Sequence, residues 1–83
     1  MNNQFFENES ISTCAAILAS SDKVSLHGVK PSGRSSKTAI LLEPKAEAEL
    51  LYRELLNEKL MINASRNLVW VEKLKSLVFG NGL

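Results

Sequence analysis

Ile11, Cys14, Ala15 and Leu18 fall at i, i+3, i+4 and i+7, which gathers apolar side chains on one side of an α-helix and predicts a helix within FFENESISTCAAILASSD. Asn8 or Ser10 is its expected N-cap, and Glu7 and Glu9 sit where a helix start favours negative charge. The small Ala15, Ala16 and Ala19 point to close packing on a sheet. Ahead of the helix, Phe5 and Phe6 form a short extended segment; as neighbours in a strand they face opposite ways.

Two strands follow. KVSLHGV alternates Val24 and Leu26 with Ser25 and His27, and KTAILLE alternates Thr38, Ile40 and Leu42 with Ala39 and Leu41. Pro31, Ser32 and Gly33 between them are turn formers, so the pair reads as a β-hairpin with a long polar tip. EPKAEAELLYRELLNEK then opens a helix, with Pro44 at its first position and Glu47 and Glu49 in its early turns. Leu51, Leu55, Ala48, Tyr52 and Leu56 supply its core face. After KLMI, Asn63 caps a last helix carrying Leu68, Val71, Leu74 and Val78, widened by Trp70 and Leu77 and ended by Gly80. The predicted fold is α+β in the order βαββαα: a small antiparallel sheet, made of the hairpin and a short N-terminal strand, packed against two or three helices in a single domain spanning 1–83.

Composition narrows the function classes. A chain of 83 residues buries only about 60% of its unfolded surface, enough for one core. A net charge of +1 gives no global field to draw in nucleic acid or an anionic membrane, so any electrostatic attraction must be local. The charges are nevertheless segregated. Residues 1–22 carry Glu7, Glu9 and Asp22 without a cation, and residues 23–42 carry Lys23, Lys30, Arg34 and Lys37 without an anion. The single Cys14 excludes an internal disulfide, and MNNQFFENES has neither the basic nor the apolar region of a signal peptide. No apolar run approaches the roughly 20 residues that cross a bilayer. The expected setting is the cytoplasm, without a membrane.

The stretch GVKPSGRSSKT is the strongest candidate for chemistry. Gly28 to Ser35 fits the phosphate-loop spacing with Arg34 in place of the lysine. A phosphate loop must lead into a helix, however, and this one leads into a strand, while Pro31 removes a backbone donor. A looser reading needs less: Lys30, Arg34 and Lys37 among the hydroxyls of Ser32, Ser35, Ser36 and Thr38, extended by Lys23 and His27, offer donors to a nucleic-acid backbone. The plain alternative is a tip kept polar for solvation and lysines that blunt edge pairing. Tyr52, Trp70 and Phe79 fall at core-like helical positions rather than beside the tip as stacking platforms. An exposed Phe5 or Phe6 would point to a partner surface.

Other signals are weaker. His27 has no second ligand at metal spacing, and Cys14 on an apolar stripe reads as a small hydrophobe rather than a nucleophile. CAAI is not at the C-terminus, and Asn8 and Asn63 of the two sequon matches are already assigned to caps. Glu49 faces Arg53 and Glu54 faces Glu58 on a solvated helix surface. No nucleophile, base and orienting group assemble, so the expectation is a protein that is not an enzyme, with no cofactor, no metal and no small-molecule substrate.

The linear arrangement of CAAILA (14–19), YRELLNEKLMIN (52–63) and EKLKSLVFG (72–80) around a hairpin resembles the DUF5659 family of small bacterial domains of unknown function, with Ser10-Ile11 standing where those domains carry an Asp-Leu pair. The resemblance spans nearly the whole chain and implies the fold outline, with no activity to carry over. Two functional expectations result. One is a non-catalytic module contacting nucleic acid through Lys23, Lys30, Arg34 and Lys37, alone or in a larger complex. The other is a protein-interaction or homo-oligomerisation module, or a small inhibitor of a nucleic-acid machine, docking through a strand edge or the last helix around Leu68, Trp70 and Leu77.

Overall fold

The computed structural model describes residues 4–32 and 37–80. Three strands, β1 (Phe6–Asn8), β2 (Ser25–Pro31) and β3 (Thr38–Glu43), form one antiparallel sheet in the order β1-β3-β2. The last strand in sequence is therefore the central one. That position matches its composition, because Ala39, Ile40, Leu41 and Leu42 are all buried, and a continuous apolar run suits a strand covered on both faces. Phe6 and Leu26 flank Leu42, and Asn8 and Val29 flank Ile40, which sets the core-facing rows of the sheet.

The alternation expected of β2 is interrupted. Leu26 lies opposite Leu42 but Gly28 lies opposite Leu41, so His27 is an inserted residue at a β-bulge. Strict alternation from Leu26 would have turned Val29 outward; the extra residue shifts the phase by one and returns Val29 to the core side.

Three helices complete the βαββαα order: α1 (Ile11–Ser20), α2 (Lys45–Leu56) and α3 (Ala64–Lys75), the last continued by a π-helical turn, Ser76–Gly80. Ser10 caps α1 by accepting from the Thr13 N–H at 3.1 Å, and Asn8 Oδ1 accepts from the Ser10 N–H at 2.8 Å. Residues Cys14 to Ala19 are buried without a break, so α1 is covered on more than one side. It lies among β3, α2 and α3, and α3 packs chiefly on α1. Pro44 stands one position earlier than expected, capping α2 from outside it. On α2, Ala48 is buried, Leu51 and Tyr52 pack against the core, and the Tyr52 ring meets that of Phe6 at 5.3 Å.

Three apolar positions depart from expectation. Leu68 is 65% exposed, because six residues from the fully buried Leu74 is about 120° round the helix. Leu56, in the final turn of α2, extends past the core edge and is exposed. Phe79 lies in the π-helical turn, where the wider winding breaks the α-helical phase, and is 70% exposed.

The end of α2 is a Schellman motif. The Lys59 N–H donates to the Glu54 carbonyl at 2.9 Å and the Glu58 N–H to the Leu55 carbonyl at 3.0 Å. Glu58 holds the left-handed position with φ 61°, which favours glycine, and it places a negative charge at the negative end of the helix dipole. Glu58→Gly is therefore expected to raise stability by about 0.5–1 kcal/mol, read as a higher urea midpoint at unchanged slope. Leu74→Ala is expected to cost about 2–5 kcal/mol in the same measurement, since Leu74 is the one fully buried residue that α3 contributes.

Candidate functional site

Lys30 lies near the tip end of β2, opposite Ala39 of β3, on the sheet face turned away from the helices. Glu7 of β1, opposite Leu41, shares that face. The two side chains reach across the central strand and pair at 3.0 Å between Lys30 Nζ and Glu7 Oε2. Beside them the rings of Phe5 and His27 stack with centroids 4.0 Å apart, and His27 Nδ1 is 3.5 Å from Glu43 Oε2. Phe5 and Phe6 thus face opposite ways as expected, but Phe5 is half-buried against His27 rather than exposed.

Of the cations expected to form a patch, Lys30 and Lys37 both stand near the tip end of the hairpin, and Lys23 lies apart from them. Lys30 is held by Glu7. Lys23 precedes β2 at the end opposite the tip, on the order of 20 Å away at about 3.3 Å per strand residue. Lys37 is exposed, its carbonyl accepts from the Ser32 N–H at 3.0 Å, and it borders a groove of about 310 Å³ with Glu9, Ile11, Thr38, Val78 and Phe79. Arg34 lies outside the described residues. A second groove, of about 460 Å³, runs along Glu7, Asn8, Glu9, Ser10, Ser32 and Ala39. Of its two carboxylates, that of Glu7 is the one paired with Lys30.

Cys14 is buried, and desolvation pushes its thiol from the ordinary 9.0 up to about 12. Its Sγ has one weak contact, to the Asn8 carbonyl at 3.9 Å. Among the described residues, no group of three or more His, Cys, Asp and Glu side chains is placed to hold a metal ion, and no helix is long and apolar enough to cross a membrane.

The apolar surface is the more developed feature. The three residues expected to form a partner face on the last helix separate: Trp70 and Leu77 pack against the core, whereas Leu68 is exposed. Lys73 Nζ lies 4.9 Å from the centre of the Trp70 ring, and Arg66 Nη2 donates to Asp22 Oδ1 at 2.7 Å. Of the seven large hydrophobics exposed among the described residues, five lie between residues 56 and 69: Leu56, Met61, Ile62, Leu68 and Val69. The sequence assigns no role to three of these, Met61, Ile62 and Val69, and places Leu56 in the core. The available signal was KLMI, an apolar run in the α2–α3 connection with no helical period to bury it.

No family model matches the chain, and no curated protein or solved structure is significantly similar to it.

With a thiol that ionises near 12, Cys14 in the native protein is expected to react with a disulfide reagent at pH 8 at least about a thousand-fold more slowly than in urea. Absorbance of the released thiolate measures both rates. Since the native thiol keeps its proton where the unfolded one loses it, Cys14 leaves stability unchanged below about pH 9 and lowers it progressively from there towards pH 12.

Proposed function

We propose that this chain is a small non-catalytic protein-interaction module that docks through the α2–α3 connection and the adjoining exposed residues of α3. The observation that carries the reading is the concentration of Leu56, Met61, Ile62, Leu68 and Val69 on one stretch of chain, in a domain whose net charge favours no polyanion. A domain of this size gains stability from a partner that extends its core, so an exposed apolar stretch costs it least when covered. The buried thiol of Cys14 and the His27 ring stacked on Phe5 supply no nucleophile and base for catalysis. A lone unpaired cysteine suits a reducing setting, which supports the cytoplasm as the place of action.

Contact with a nucleic-acid backbone is the alternative reading. Its support is the exposed Lys37 together with the cationic composition of the tip, and it is weakened by the Lys30–Glu7 pair, which already occupies one of the cations. The resemblance to the DUF5659 family favours neither.

The two readings separate on purification from native cells with a tagged copy. Met61→Glu with Leu68→Glu is expected to release bound protein while changing stability by no more than about 0.5 kcal/mol, because both side chains are exposed. Nucleic acid that stays with this double variant and leaves on Lys37→Glu would replace the interaction reading with the alternative.

A further inference from the structure

The exposed row of α3 reads Ser65, Leu68, Val69 and Glu72, spaced i, i+3, i+4 and i+7. Polar, apolar, apolar, polar is the same order from either end. A surface that meets its own copy about a two-fold axis must be complementary to itself in this way.

We propose that the occupant of the docking surface is a second copy of this chain, its α3 antiparallel to the first, with the two-fold axis passing between Leu68 and Val69. This rests on the docking surface argued above and names its partner. The symmetry sets Leu68 against Val69 of the second copy and brings the Ser65 hydroxyl to donate to the Glu72 carboxylate of the second copy, each contact occurring twice.

One further observation fits the same placement. Arg66 and Lys73 are seven residues apart, about two turns, and share one flank of α3. Arg66 holds Asp22 at 2.7 Å on that flank, with the Asp22 side chain 88% exposed. The two-fold axis keeps like flanks together and reverses direction, so Lys73 of the second copy arrives beside this carboxylate. The pairing covers Leu68 and Val69, two of the seven large hydrophobics exposed among the described residues.

Sedimentation equilibrium of the full chain tests this. Wild type is expected to approach twice the 9.2 kDa chain mass at concentrations of about 100–500 µM. Ser65→Glu sets two carboxylates against each other and is expected to weaken the dimer at least about ten-fold, and adding Glu72→Lys to it is expected to restore the dimer. A wild-type chain that stays monomeric throughout this range overturns the second-copy pairing, as does a dimer indifferent to Ser65→Glu. Either result leaves the docking surface standing if a different protein is still lost from the Met61→Glu, Leu68→Glu variant in native cells; if nothing is lost there, the docking surface falls too.

Discussion

The burial of α1 on several sides at once is the constraint on which the rest of this fold depends. Ile17 and Leu18 are fully enclosed, and each such side chain contributes about 1.5–3 kcal/mol relative to exposure. Ala15, Ala16 and Ala19 allow close approach from more than one direction, so one helix serves as the shared layer between the sheet and α3. The arrangement concentrates cohesion in ten residues. It also leaves α3 with a single fully buried side chain, Leu74, and most of its circumference in solvent.

Local chemistry was readable in the linear chain where one residue type answers one backbone need. Ser10 and Asn63 each accept from the N–H three residues on, as capping residues before an apolar period should. The strands, their hairpin and the element order followed in the same way from alternation and turn formers. The bulge at His27 had one linear signal, Gly28 inside the strand pattern, but a glycine does not tell which residue is inserted until Leu42 and Ile40 are set opposite. The orientation of α3 failed for a related reason. Leu68, Val71, Leu74 and Val78 are all apolar, but only contact with α1 decides which edge of that stripe faces inward.

The candidate site was less legible than the fold, since charge segregated along a chain need not stay segregated in space. The antiparallel sheet carries Glu7 of the acidic N-terminal stretch to within 3.0 Å of Lys30 of the basic stretch. Asp22 is likewise matched by Arg66 from the far end of the chain. Glu7 and Asp22 of the acidic lead segment thus each meet a cation from elsewhere in the chain, while the exposed large hydrophobics concentrate between residues 56 and 69.

Edge strands of small sheets invite other chains to add on, and β2 is an edge of this one along Ser25–Pro31. The inserted His27 bends that edge out of a straight ladder, and Pro31 has no N–H to give a newcomer. A fibril-like mode of growth, strand upon strand, is thereby discouraged along this edge, the longer of the two that the described sheet presents.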